Sequence, residues 1–273
     1  MTPKLHENKF LVKPGKDISL KHWDPSDTSA FDGNELAAKE ESKKINSKLD
    51  QLQEMLYAEN KHKLLIILQA MDTGGKDGVI RRVFEGVNPS GVRVVHFRTP
   101  SQDELDHGFL WRAYAQIPSR GELVIFNRSH YEAVLIERVH NLVPDEIWQQ
   151  RYKEICEFEE LLHEEGTTIL KFYLHISSDE QKKRLKARLS DPTKEWKFSQ
   201  NDLVERKLWH EYMKAYEHVL RKTSTKSAPW YIIPSNHKWF RDLAVARIIV
   251  KTLEGFNMQF PAISNDMKAV KIP

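Results

Sequence analysis

The sequence predicts one α/β domain, built on a mostly parallel five-stranded sheet with helices on both faces. Five short apolar runs punctuate the chain: KLLIILQA (63–70), VRVVHF (92–97), GELVIF (121–126), TTILKFYLHI (167–176) and PWYIIP (229–234). Helical patterns separate them, and that alternation is the signature of parallel strands joined by crossovers. Several runs are apolar at successive positions, as strands buried on both faces are. With 273 residues, 40% of them hydrophobic, the chain can bury a core without staples. No internal repeat or long linker divides it, so 1–273 reads as a single domain.

Residues 1–32 are polar and broken by Pro, Gly and Asp, and predict an extended arm. From Gly33 to Asn60, Ile45, Leu49, Leu52 and Leu56 recur at three and four among charges, an amphipathic helix. Residues 1–60 are thus an N-terminal arm and helix. The strand at 63–70 leads into a helix from Lys76 to about Val87. NPSG (88–91) is a turn before the second strand. Residues 103–116 predict an aromatic-rich helix, followed by the strand at 121–126. Pro144 opens an amphipathic helix to 165 that carries Ile147, Ile155, Phe158, Leu161 and Leu162. After the fourth strand comes a cationic helix, then a helix over about 199–222. Residues 190–222 form a helical insertion before the last strand, where a lid would sit. The last helix aligns Trp239, Leu243, Ala246, Val250 and Leu253.

Charge argues against several functions. With 42 basic and 39 acidic residues, the net +3 is too mild to indicate nucleic-acid binding by itself. No apolar run reaches membrane-spanning length, and the N-terminus lacks an apolar signal core. The single cysteine, Cys156, allows no intrachain disulfide and fits a reducing, cytoplasmic setting; it reads as a small buried hydrophobe. The histidines show no metal spacing.

Three constellations carry chemistry. The first is AMDTGGKD (70–77), close to the phosphate-binding pattern G-x-x-x-x-G-K-[ST] but with Ala70 first and Asp77 last. Gly74 and Gly75 allow a tight turn whose N–H groups, with the positive end of the next helix, hold phosphate oxygens. Lys76 adds a point charge. Asp72 is a candidate metal ligand or proton acceptor. Asp77 either replaces the hydroxyl that binds magnesium or only caps the helix; the glycines alone would also suit a plain strand-to-helix turn.

The second is VIFNRSHYE (124–132), where a buried strand delivers Asn127 and Arg128 to the sheet edge at which ligands bind in open α/β folds. Arg128 is a phosphate fork, and Asn127 can hold metal-bound water; a helix cap by Ser129 or Asn127 is the plainer alternative. The third is the run Lys182, Lys183, Arg184, Lys186 and Arg188, a solvated face or a track for a polyanion. Lys194, Trp196, Lys197 and Asp202 follow it. Arg81, Arg82, Arg112 and Arg120 are further cations for one channel leading to Lys76.

Together LQAMDTGGKDG, HGFLWR, FNRSHYE, RLSDPTKEWKFSQND and APWYIIPSNHKWFRDL, in this order over about 63–250, resemble the polyphosphate kinase 2 family. The FNRSHYE form is similar to the branch that phosphorylates both AMP and ADP. The resemblance implies a P-loop kinase-like three-layer α/β/α sandwich with a helical lid. It implies reversible transfer of the terminal phosphoryl of inorganic polyphosphate to a nucleotide, with Mg2+ or Mn2+. It assigns Asp72 and Lys76 to the loop pair, Asn127 and Arg128 to the second motif, Arg188 to polyphosphate and Asp202 to the lid motif. Asp72 and Asn127 become the expected metal ligands, and Lys194, Trp196, Lys197 and Asp202 the nucleotide and lid group. Four letters depart from the family pattern. Ala70 stands for a frequent glycine and Gly75 for a frequent alanine or serine, both read as exchanges the backbone tolerates. Gly108 and Asn127 stand where carboxylates are frequent, which removes possible metal ligands.

The expected partners are polyphosphate with AMP or ADP, guanine nucleotides being open as further acceptors. A homo-oligomer, dimer or tetramer, is expected; the helix at 36–57 can pack within the chain or on a partner. No nucleic acid or membrane is expected. Two rivals remain: an ATP-dependent nucleoside monophosphate kinase, which Asp77 argues against, and a non-catalytic polyanion-binding protein, which the mild charge argues against.

Overall fold

The computed structural model describes residues 3–262. Its sheet has the order β2-β3-β1-β4-β5, with every neighbouring pair parallel. The strands are β1 (Lys63–Gln69), β2 (Val92–His96), β3 (Leu123–Asn127), β4 (Thr167–His175) and β5 (Trp230–Pro234). All five coincide with the apolar runs, because such runs are stable only where both sheet faces are covered.

One face is covered by α1 (Glu35–Glu59), α2 (Lys76–Val83) and α10 (Lys238–Glu254). They bury Leu49, Leu56, Val79, Phe240 and Ile249 against the even-numbered side chains Leu64, Ile66 and Leu68 of β1. The other face takes α6 (Asp145–Glu164) and α9 (Trp209–Thr223), which bury Ile155 and Tyr216 against Leu65 and Ile67. Successive β1 side chains feed opposite cores, as the two-residue strand period requires. The result is the expected three-layer sandwich, with α1 packed within the chain.

Helix ends follow local chemistry. The Asn34 side chain accepts from Ala37 N, and Asn60 ends α1 in the left-handed region at φ 55°. Between β2 and β3 the expected single helix is two, α3 (Gln102–Asp106) and α4 (Trp111–Tyr114). Ser101 and Glu104 form a capping box on α3, and extended His107 stops it. The insertion is likewise divided, α8 (Gln200–Lys207) and α9 meeting at Leu208. It follows α7 (Ser178–Leu189), the cationic helix. A tight turn over His130–Val134 and the short α5 (Ile136–Val139) after β3 carry no periodicity strong enough to announce them. The arm is docked along its length: Val12 N donates to Trp230 O, and Ser224 Oγ donates to Val12 O. Cys156 is half-buried, with its thiol pushed up by burial. Among the described residues no helix is long and apolar enough to cross a membrane.

One buried charge pair ties four elements together: β4, α6, the turn after β3 and the end of α9. Lys171 of β4 and Glu159 of α6 are 0% and 1% exposed. Lys171 Nζ donates to Glu159, to Tyr131 Oη at 2.9 Å and to Thr223 O at 2.7 Å. Burial pushes the Lys171 ammonium down; on Glu159 burial pushes the carboxyl up, but Lys171 and His130 together hold it low. Breaking such a pair leaves an uncompensated buried charge, which costs about 3–5 kcal/mol. Lys171→Met is therefore expected to lower unfolding stability by about that much in urea titrations. Lys171→Met combined with Glu159→Gln is expected to recover more than half of the loss.

Candidate active site

The site lies at the C-terminal edge of the sheet, above β1 and β3. Parallel pairing sets Leu68 beside Asn127, and Arg128 N donates to Leu68 O at 3.1 Å. The loop after β1 and the turn after β3 therefore emerge side by side, the placement expected for a ligand crevice in an open parallel sheet.

The loop's shape is imposed from outside. Gly74 N donates to Met71 O, Thr73 adopts φ 62° and Gly75 φ 112°. Arg184 of α7 donates through Nη1 to Thr73 O and Gly74 O, and through Nη2 to Ser235 O and Asn236 O. Its Nε donates to Glu180. Gln181 holds Asp72 O. Capturing the loop carbonyls leaves the loop N–H groups other than that of Gly74 for an anion. Arg184 thus has its donors committed to the loop and to the β5–α10 turn, a brace instead of the expected polyphosphate contact.

Gly75 is no tolerated exchange for alanine or serine. Its φ of 112° is one that L side chains rarely adopt, and a Cβ there would lie 1.9 Å from Arg241 Nη1. Gly74 is equally constrained, because a Cβ would lie 2.5 Å from that of Ala70. Ala70 at the head of the loop is accommodated because Gly74 has no side chain.

Lys76 donates from Nζ to Ala70 O at 2.8 Å. Burial, then the neighbouring Arg128, hold its ammonium down to about 8, against Asp72, Glu132 and Asp77. Lys76 therefore carries its charge at some expense until an anion arrives. Arg128, itself at φ 63°, donates through Nη2 to Asp72 Oδ1 at 3.0 Å and lies 3.9 Å from Glu132. Glu132, then Asp72, raise its already high pKa. Asn127 faces Asp77, not Asp72: its Nδ2 donates to Asp77 Oδ1 at 2.7 Å and lies 3.2 Å from His96 Nδ1.

The lid lies over this loop. Lys197 Nζ is 3.8 Å from Asp77 Oδ2. Arg188 Nη1 donates to Lys197 O at 3.0 Å and pairs with Asp202 at 3.2 Å. Burial, then Asp72, raise the Asp202 carboxyl. Trp196 is 76% exposed, with the Lys197 ammonium 5.0 Å from its ring centre, and Lys194 pairs with Asp191. Between lid and loop lies a cavity of about 150 Å³ that Asp72, Arg128, Glu132, Asp202, Tyr212 and Tyr216 help to line. Small-molecule sites usually enclose about 300–1,000 Å³, so the cavity with the lid in this position is smaller than such a site.

Asp72, Lys76, Arg128, Arg188, Lys197 and Asp202 thus meet around one place, and Asn127 borders it through Asp77. Arg112 stands at the same sheet edge but is committed to Arg98 O and Glu104, with its guanidinium over Phe97. Arg81 and Lys183 are exposed on α2 and α7. Arg120 does not belong to the channel. It precedes Gly121, whose N–H donates to His62 O at the N-terminal ends of β1 and β3. The strand lengths separate it from Arg128. Glu132, Tyr212, Tyr216 and Arg241 were not singled out from sequence. Glu132 and Arg241 lie inside quoted motifs, whereas Tyr212 and Tyr216 fall in a helix that carries no motif.

The donor set suits a hard divalent cation. Asp72 and Asp77 offer carboxylates and Asn127 a carbonyl, and magnesium keeps several waters and phosphate ligands beside one or two such groups. Among the described residues no group of three or more His, Cys, Asp or Glu side chains forms a complete metal cage.

The model of the family described as polyphosphate kinase 2 matches residues 33–261. The AMP/ADP-polyphosphate phosphotransferase of Meiothermus ruber is 57% identical over 253 residues, covering 93% of this chain and 95% of that one. The ADP-polyphosphate phosphotransferase of Rhodopseudomonas palustris is 43% identical, with 94% and 93% covered. The crystal structure of polyphosphate kinase 2 from Arthrobacter aurescens superposes with a TM-score of 0.91 at 42% identity, covering 94% of this chain and 93% of that chain.

Gly75→Ala tests the loop geometry. Forcing alanine to φ 112° and displacing Arg241 is expected to lower kcat/KM by about tenfold or more, a strain of about 1–3 kcal/mol at the reacting end. Steady-state kinetics, with circular dichroism confirming the fold, would measure it.

Proposed function

The chain belongs to the polyphosphate kinase 2 family, and on that premise we propose that it transfers the terminal phosphoryl of inorganic polyphosphate to AMP and ADP, reversibly. The observation that carries the reading is the meeting of Lys76, Arg128 and Arg188 beneath one lid, over a loop whose last letter is Asp77. Phosphoryl transfer asks a protein mainly for positioning and charge neutralisation. Both ends of this reaction are phosphates, so no strong general base is required.

In this reading the loop N–H groups and Lys76 hold the donor's terminal phosphates, while Arg128 and Arg188 stabilise charge on the group in flight. Each cation already has a substitute acceptor: Ala70 O for Lys76, Asp72 for Arg128 and Asp202 for Arg188. Substrate phosphates would exchange into these bonds, so the groups stay oriented while the site waits. Trp196, exposed at the lid tip beside Lys194 and Lys197, is free to stack on a nucleobase. Asp72, with Asp77 and Asn127 nearby, would hold a magnesium or manganese ion, which would supply charge neutralisation for the phosphates. The proposal extends to a cytoplasmic homo-oligomer that does not use nucleic acid.

The deciding experiment gives purified protein magnesium and polyphosphate with AMP, ADP or GDP, and identifies products by chromatography. ADP from AMP and ATP from ADP are expected. Phosphorylation of AMP by ATP with none by polyphosphate would instead make it an ATP-dependent monophosphate kinase. Chelation of the metal is expected to abolish turnover. Asp72→Asn is expected to lower kcat by about tenfold or more, since charged positioning groups at phosphoryl-transfer sites contribute at that scale. Near-wild-type turnover with unchanged metal dependence would remove Asp72 from the metal site.

A further inference from the structure

The lid helix α8 meets α7 at two places. Asp202 and Arg206 stand four positions apart on α8, and Gln181 and Arg188 seven apart on α7, so each pair shares one helix face. Asp202 pairs with Arg188, while Arg206 Nη1 donates to Ser178 O at 2.8 Å and to Gln181 Oε1 at 2.7 Å. The two helices therefore run in antiparallel order. On its other side α8 is fixed through Glu205, which is 7% exposed. Glu205 accepts from Asn201 Nδ2 and Tyr212 Oη and lies 2.9 Å from His140 Nε2.

Gln181 is 0% exposed and bonded at both ends of its amide. Its Nε2 donates to Asp72 O, inside the phosphate loop, at 3.1 Å. A guanidinium has donors and no acceptor, so Arg206 takes only the oxygen end of that amide and leaves the NH2 end for Asp72. A turned amide would set Oε1 against Asp72 O and lose the bond. The Asp72–Thr73 peptide is planar, so a carbonyl held toward α7 directs the Thr73 N–H to the opposite side, among the groups left for an anion. Thr73 needs this support, because it stands at φ 62°, where a β-branched residue is strained. Arg206 does not line the cavity, and its route to the loop runs through Gln181.

We propose that Arg206 and Gln181 are positioning residues that relay the docking of α8 to the phosphate loop. With α8 seated on α7, Arg206 locks the Gln181 amide, Gln181 holds Asp72 O, and the Thr73 N–H is aimed at the donor phosphate. With α8 away from α7, the amide loses its lock and the loop keeps only its Arg184 brace. The relay rests on the polyphosphate reading above, which supplies the anion. Linkage makes it reciprocal: an anion on the loop N–H groups favours the held peptide, and so favours α8 in its docked place.

The test is a double-mutant cycle on the full chain. It is read as kcat/KM for long-chain polyphosphate with magnesium and saturating ADP, and as calorimetric Kd for tripolyphosphate without acceptor. Arg206→Met and Gln181→Met are each expected to lower kcat/KM, and to weaken tripolyphosphate, about fivefold to tenfold, the scale of one hydrogen bond. The double variant should match Gln181→Met within about twofold, because Arg206 acts through that amide. Gln181→Glu separates a relay from simple helix packing. Its carboxylate still accepts from Arg206 and docks α8, but cannot donate to Asp72 O. It should lose at least as much as Gln181→Met, with KM for ADP within about twofold of wild type. Additive losses, a Gln181→Glu variant as active as wild type, or tripolyphosphate binding unmoved by Arg206→Met would each overturn the relay. Hydrogen exchange on the wild-type chain needs no substitution. Tripolyphosphate should slow exchange in α8, and unchanged exchange there would also overturn the relay. Failure of wild type to transfer from polyphosphate would sink the functional reading; normal transfer with additive variants would sink only the relay.

Discussion

The site depends on one guanidinium. Arg184 binds carbonyls from the loop after β1 and from the turn after β5, and its Nε is fixed by Glu180 one turn back on α7. The loop's carbonyls turn toward α7 because Arg184 and Gln181 take them. The loop N–H groups other than that of Gly74 are then left for an anion. Ends of β1 and β5 are two strands apart in the sheet, with β4 between them. The helix leaving β4 is the element placed to reach both, so the clamp is a consequence of strand order. An arginine suits the role because its planar fork satisfies several carbonyls at once, which a lysine ammonium does with far less geometric definition.

A second constraint holds the turn after β3. Arg128 stands at φ 63°, a conformation that costs a side-chain-bearing residue free energy and persists only where its surroundings demand it. Its N–H is bonded to β1, Ser129 Oγ accepts from Tyr131 N, and Gln69 Nε2 reaches Ser129 and Glu132. Three residues on from Arg128, Tyr131 is anchored by the buried Lys171–Glu159 pair. The Lys171 bond to Thr223 O joins that anchor to the end of α9, the last lid helix. Lid and strand-end arginine are therefore referred to one buried point, which keeps Arg128 and Arg188 in a common frame.

Against that rigid base the lid is held by exchangeable contacts. The 3.8 Å approach of Lys197 to Asp77 and the pairing of Arg188 with Asp202 are partly solvated, and such pairs hold weakly. Beneath those contacts lies the small cavity lined by Asp72, Arg128 and Asp202. The Lys76 ammonium is disfavoured without a ligand, through burial and repulsion from Arg128. Stability is thereby set against affinity, as is usual where a site is preorganised for charge.

Much of this was legible in the residues themselves. Apolar runs marked all five strands, since strands buried on both faces need side chains that suit either core. Strand, glycine turn and helix placed Lys76 and Asp72, and the motif order placed Arg128 and Arg188. The reading faltered where local pattern carried no tertiary information. Arg120 and Arg128 are both arginines near the strand β3, but they stand at opposite ends of it. Arg184 and Arg188 are one turn apart on α7, yet one braces the loop and the other meets the lid. Gly75 looked exchangeable because neither its φ of 112° nor Arg241, more than 160 positions later, is visible in the letters around it. By itself the sequence determined the layers, the loop and its chemistry, because burial and backbone propensity are local and periodic. Only the tertiary structure decided which cations line the cavity and which hold the backbone, because that depends on where each guanidinium finds its acceptors once the strands are side by side.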